Sequence, residues 1–178
     1  MKYAGFWKRF LAGLIDFFVL LVPILLLGWL SSISQLLAIL LAFPLGLLYW
    51  FYEFSLHAAT GHTIVKRTVG IRVVHLDGSR TGRSEAFRRS AVDLLFAVIW
   101  IVGTIWGVST LSSVQFSNDG WLHQWDLIQN SQPFLFAWAD VASQVWIWSE
   151  VVTMLFNRKR RAIHDFTAGT VVVEETRS

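Results

Sequence analysis

The chain has 178 residues, 54% of them hydrophobic, and no cysteine. It is too apolar for a soluble domain of this length, too short for two globular domains, and offers no disulfide, thiol nucleophile or cysteine metal site. The net charge of +3 is unevenly placed: all 15 Lys and Arg fall in three blocks, at 2–9, 66–89 and 158–178, and the two apolar stretches between hold none. Basic residues that flank apolar runs orient membrane spans with the positive loops inside, so they point to anionic headgroups and not to nucleic acid.

The first apolar run, 10–30, is long enough to cross a hydrocarbon core of about 30 Å, and its Asp16 suits a retained anchor better than a signal peptide. A polar turn at 31–35 leads to a second run, 36–54. Pro23 and Pro44 predict kinks in these two. Residues 57–89 read as a cytoplasmic loop. Within it, alternation at 70–74 predicts a short strand, Asp77-Gly78 a turn, and Ser84 the N-cap of the next helix. The third run, 91–111, carries Gly103-x-x-x-Gly107, a close-packing pattern. Residues 112–133 form a polar outer loop with Asp119 and Asp126, and Trp121 and Trp125 at aromatic-belt positions. The fourth run, 134–156, is the least hydrophobic. Laying it in the interface would leave the basic cluster at 158–161 outside, against the positive-inside rule.

The tail, 157–178, is cytoplasmic. Its β-branched residues 170–173 are expected to pair with the strand at 71–74, with His164 and Asp165 packed beside them. No tandem repeat stands out. The expected fold is one domain, 1–178: an all-α polytopic membrane protein with four transmembrane helices, both termini inside, and a small cytoplasmic β-like unit.

Five carboxylates lie inside or at the edge of apolar runs: Asp16, Glu53, Asp93, Asp140 and Glu150. A charge at mid-bilayer costs about 2.5–3.5 kcal/mol on insertion scales, so each needs a partner or a purpose. On a helix, Asp16 shares a face with Arg9, Ala12 and Pro23. Asp93, which follows Arg88 and Arg89, shares one with Trp100, Thr104 and Gly107. Helical side chains lean toward the N-terminus, so each arginine points away from the aspartate that follows it. The expected pairing is crossed, Arg9 with Asp93 and Arg89 with Asp16. Such pairs either fix helix register or let Asp16 trade a proton for a cation, with an arginine as alternating partner. Glu150, Asp140, Ser143 and Gln144 form a one-sided stripe on the fourth run, a polar helix contact or an ion path. The five histidines lack metal-ligand spacing, and no Walker loop, GxSxG or GxGxxG is present. No metal, cofactor or enzymatic activity is expected.

Three stretches carry a resemblance: Trp7-Lys8-Arg9 through Asp16; Gly61-His62-Thr63 through Lys66, followed by Gly70 and Asp77-Gly78; and Arg160-Arg161 through Val173. Together, and in order over nearly the whole chain, they resemble RDD family membrane proteins. The resemblance implies that Arg9 and Asp16 are the arginine and first aspartate for which the family is named. It leaves Asp93 and Asp165 as alternatives for the second, and implies motif roles for Thr63, Lys66, Gly70, Arg161, His164, Asp165, Gly169 and Thr170. The family usually has Thr-Pro-Gly-Lys where this chain has Thr63-Ile64-Val65-Lys66, so the tight turn there is expected to change. It also implies transport, including the sodium/proton antiport attributed to some members.

Two functions are expected in competition. One is a cation/proton antiporter or small-solute transporter of the bacterial plasma (inner) membrane, using the intramembrane carboxylates. The other is a non-transporting accessory or assembly subunit that docks a partner or anionic lipid through its basic cytoplasmic face. Four spans leave little room for an alternating-access cavity, which favours the second unless the chain forms a homo-oligomer or joins a membrane-protein partner.

Overall fold

A computed structural model describes residues 1–117 and 121–175, so Asp119 and Arg177 lie outside the described residues. The elements in order are α1 (Phe6–Ser31), α2 (Gln35–Thr60), α3 (Ile64–Thr68), β1 (Ile71–His75), α4 (Arg83–Thr110), α5 (Ser113–Ser117), α6 (Trp121–Asn130), α7 (Phe134–Phe156), α8 (Ile163–Thr167) and β2 (Thr170–Glu174). Among the described residues three helices, α1, α2 and α4, are long and apolar enough to cross a membrane. The expected fourth run is the helix α7, 23 residues long. It carries Asp140 and Glu150 and is too polar to stand among those three. Helices α1 and α2 continue through Pro23 and Pro44.

Two sequence expectations need correction. Helix α4 starts before Ser84, because the Glu85 carboxylate accepts the Gly82 N–H at 2.9 Å and satisfies one of the free donors at the helix start. The segment read as a polar loop is largely helical, as α5 and α6. In α6, Gln124 and Ile128 are buried, one turn apart on a single face.

The chain divides into two compact units, one of Met1–Val19, Trp50–Val92 and residues from Gln144 onward, the other of Leu20–Tyr49 and Asp93–Ser143. In the first, β1 and β2 pair, as the two β-branched runs predicted, and they do so antiparallel with Val73 opposite Val172. Period-2 alternation puts Ile71, Val73 and Val172 with Ala4, Ala12 and Val65 on one face. Val74, Val171 and Val173 pack with Tyr3 on the other. The N-terminal segment adds to the β2 edge through a Tyr3–Val173 bridge and the Ala4 N–H to the Val172 carbonyl at 2.9 Å.

The sheet also reveals a repeat. Each strand follows a five-residue helix and a left-handed glycine: α3, Gly70 (φ +70°) and β1; α8, Gly169 (φ +68°) and β2. Ile64, Thr68, Gly70, Val73 and Val74 correspond in order to Ile163, Thr167, Gly169, Val172 and Val173. The strand register is symmetric about the Val73–Val172 pair, so a local twofold relates the two copies. The repeat is hidden in the sequence because the remaining positions differ in charge and size.

In the second unit, Ala38, Val108, Phe116 and Ile128 form a core. The expected close-packing glycines act as read: a Cβ at Gly107 would lie 2.5 Å from the Ile128 carbonyl oxygen, and one at Gly103 2.8 Å from the Phe136 ring. The Gln35 amide donates to the Leu111 carbonyl at 2.7 Å, and the Gln124 amide donates to the Phe116 and Ser32 carbonyls.

Candidate functional site

Polar side chains gather in three places within the first unit. The first centres on Asp16, 2% exposed in α1. The Tyr52 hydroxyl donates to its Oδ1 at 2.5 Å and the Thr63 hydroxyl to its Oδ2 at 2.6 Å. Thr63 is the N-cap of α3, and its Oγ1 accepts the Lys66 N–H at 3.2 Å. Thr63-Ile64-Val65-Lys66 forms the capped first turn of α3, and its β-branched residues are accommodated there, with Val65 buried in the core.

The second place lies one turn further along α3. The Lys66 ammonium donates to Glu53 Oε1 at 2.8 Å and lies 3.2 Å from His57 Nε2. His57 Nδ1 is 2.8 Å from the Glu53 backbone carbonyl, which only accepts, so Nδ1 carries the ring proton and Nε2 receives from Lys66.

The third place is Asp165, fully buried at the third position of α8. Arg9 Nη2 donates to its Oδ2 at 2.9 Å, the Ala162 N–H donates to the same oxygen at 2.9 Å, and Arg89 donates to Oδ1. Arg89 also reaches the Thr170 hydroxyl at 3.4 Å, and Arg9 Nη1 donates to the Arg160 carbonyl at 2.7 Å. Arg161 ties the ends of this turn together, donating to the Thr170 and Asp165 carbonyls at 2.9 Å and lying over the Phe166 ring. Burial pushes the Asp165 carboxyl upward, but the guanidiniums of Arg89 and Arg9 outweigh it and hold the group well below the usual carboxylate range. Beside it, His164 Nδ1 meets the Glu150 carboxylate, and the buried Nε2 lies 3.6 Å from Asp165 Oδ1.

This arrangement corrects the crossed pairing. Arg9 and Arg89 converge on Asp165, and both Asp16 oxygens are taken by hydroxyls. The reason is local: Asp165 also caps the start of its own helix, and one carboxylate has enough lone pairs for several donors. The polar stripe of α7 is divided. Glu150 belongs to the first unit and engages His164, while Asp140 belongs to the second and is exposed, with Ser143 donating to its carbonyl at 2.7 Å. Asp93 also falls in the second unit. Arg88 is exposed and donates to Ser84 at 3.0 Å. Sequence reasoning passed over Tyr52 and His57 as participants. The spacing of Glu53 and His57, one helical turn apart, was the available signal for the latter. Among the described residues, no three His, Asp or Glu side chains converge as a metal site would require.

Three membrane-length apolar helices, with carboxylates buried among polar partners, make this an integral membrane protein. Residues 3–169 match the RDD family, and the chain belongs to it. It is 34% identical over 112 residues to the uncharacterized protein YckC of Bacillus subtilis (strain 168), an alignment covering 58% of this chain and 68% of that protein. No solved structure matches it.

Proposed function

We propose that this is a multi-pass transporter of the bacterial cell membrane that exchanges a cation for protons at Asp16. In this reading α7 is the fourth span, both termini are cytoplasmic, and the sheet lies on the cytoplasmic side with the three basic blocks. The observation that carries the proposal is the pair of hydroxyls on Asp16. A hydroxyl both donates and accepts, so Tyr52 and Thr63 serve the carboxylate when it is ionised and the carboxylic acid when it is protonated. Guanidinium partners serve only the ionised form. With the proton gone, the two carboxylate oxygens and two hydroxyl oxygens are the hard donors that a sodium-like cation prefers. Asp16 lies about 15 Å from the start of α1, at 1.5 Å per residue, and in this reading it sits toward the cytoplasmic side of the first span.

The test is proton flux in proteoliposomes driven by an imposed sodium gradient, read with an internal pH dye. Asp16→Asn keeps a hydrogen-bonding group of the same shape and is expected to abolish the flux while the protein stays folded. Flux equal to wild type in this variant would refute exchange at Asp16.

A further inference from the structure

A groove of about 620 Å³ lies at the start of α1 and the end of α7, lined by Phe6, Trp7, Lys8, Leu155, Arg160 and Glu174. Its volume is in the range of small-molecule sites, roughly 300–1,000 Å³. One wall is apolar, and Phe10, Leu11 and Phe156 remain exposed nearby. The other wall is charged. Its carboxylate, Glu174, is spanned by Lys2 at 2.9 Å and Lys8 at 3.1 Å, so basic groups outnumber it there.

Arg160 supplies an independent sign. Among the described residues it is the non-glycine residue with a left-handed backbone, at φ +53°. That conformation is unfavourable for a side chain of its size and persists where surrounding bonds impose it. Here they do: the Arg160 N–H donates to the Asn157 carbonyl at 2.9 Å, the Lys159 N–H to Asn157 Oδ1 at 2.8 Å, and Arg9 Nη1 clamps the Arg160 carbonyl at 2.7 Å. The same Arg9 is bound to Asp165. The buried ion cluster thus fixes a strained turn at a residue that lines the groove.

We propose that this groove binds an anionic phospholipid, with its phosphate between Arg160 and Lys8 and its upper acyl chain along Phe6, Trp7 and Leu155. The guanidinium fork matches phosphate oxygens, Lys8 adds a point charge, and aromatic rings at the headgroup level suit the boundary between chain and headgroup. An apolar wall continuous with exposed apolar helix surface, ending in cations, fits a lipid better than a soluble anion. The inference is independent of cation exchange, because it is read by lipid retention and not by flux.

The full chain is reconstituted in nanodiscs of phosphatidylcholine with a minor share of phosphatidylglycerol. It is then extracted, and the retained lipid is identified by native mass spectrometry. Wild type is expected to keep phosphatidylglycerol selectively. Arg160→Gly suits the left-handed backbone, so the fold is kept or stabilised while retention falls about tenfold. Lys8→Gln is expected to reduce it several-fold, and Arg158→Gln, in the same basic run but outside the groove, to leave it unchanged. Equal retention of the two lipids would overturn the proposal, as would wild-type retention in Arg160→Gly. An equal loss in Arg158→Gln would mean diffuse attraction to a basic surface, and full displacement by inorganic phosphate a free-anion site. Displacement by a second copy of the chain would make the groove an oligomer contact.

Discussion

The two helix–glycine–strand copies share a backbone and differ in what they carry at equivalent positions. The third residue of α3 is Lys66 and that of α8 is Asp165; the N-caps are Thr63 and Ala162. In the first copy the cap hydroxyl reaches out to a carboxylate on α1, and the lysine answers Glu53. In the second the carboxylate is part of the copy itself, caps its own helix, and gathers two arginines. One scaffold therefore holds two buried aspartates in opposite conditions: Asp165 fixed in charge by cations, Asp16 met by hydroxyls that accept either protonation state. The difference favours a structural role for Asp165 and is the ground on which exchange is proposed at Asp16.

The largest expected effect breaks the fixed member. Asp165→Asn leaves Arg9 and Arg89 as buried cations without their countercharge, and losing one partner of a buried ion pair costs about 3–5 kcal/mol. Denaturation in detergent should show that loss, whereas Asp16→Asn, which keeps hydroxyl partners, is expected to stay within about 1.5 kcal/mol of wild type. Equal costs at the two sites would erase the distinction.

Acid sharpens the same contrast. The folded-state pKa of Asp165 is depressed, so its contribution to stability is fully present above the unfolded carboxyl value of about 4 and is lost as pH falls below it. The melting temperature is expected to hold from neutrality to about pH 5 and to fall below about pH 4. In Asp165→Asn that acid step should shrink. A step of unchanged size would locate acid sensitivity elsewhere.

Part of this contrast was legible in the sequence. The apolar runs, the two β-branched strands, the packing glycines and the importance of Arg9, Asp16, Thr63, Lys66 and Asp165 follow from pattern or from family resemblance. Who pairs with whom did not follow, because the crossed pairing assumed that arginines answer the nearest intramembrane aspartates. Asp165 lies 76 residues from Arg89 and 156 from Arg9, and nothing local announces that a five-residue helix will bring its carboxylate to both. Helices α5 and α6 were missed for a different reason. Their stretch was read by its polar composition between two apolar runs, and the helical spacing of apolar residues in α6, with Ile128 one turn after the buried Gln124, was a signal that reading passed over.

A smaller effect tests the hydroxyl member. Thr63→Ala removes both the cap of α3 and one donor to Asp16, with an expected cost of about 1–2 kcal/mol. Thr63→Ser keeps both functions and should recover most of it. If Thr63→Ala instead lowers flux no more than Thr63→Ser does, the hydroxyl serves the helix and not Asp16.

The smallest effect addresses the scaffold itself. Gly70 and Gly169 both have φ near +70°, where a Cβ meets its own backbone. A Cβ at Gly169 would find nothing within 4 Å, and one at Gly70 would come only to 4.0 Å from the Glu175 carbonyl, so no neighbour has to move at either place. The cost of Gly70→Ala and Gly169→Ala is therefore conformational, about 1 kcal/mol each and equal within error in thermal unfolding. Asn at either position should cost less, since its side chain tolerates the left-handed region. Gly107→Ala is the control, because the Ile128 backbone stands in the way there and the loss should be larger. Equal penalties at 70 and 169 are what a local twofold requires. A marked inequality would mean that the two copies share a backbone outline but not a common turn.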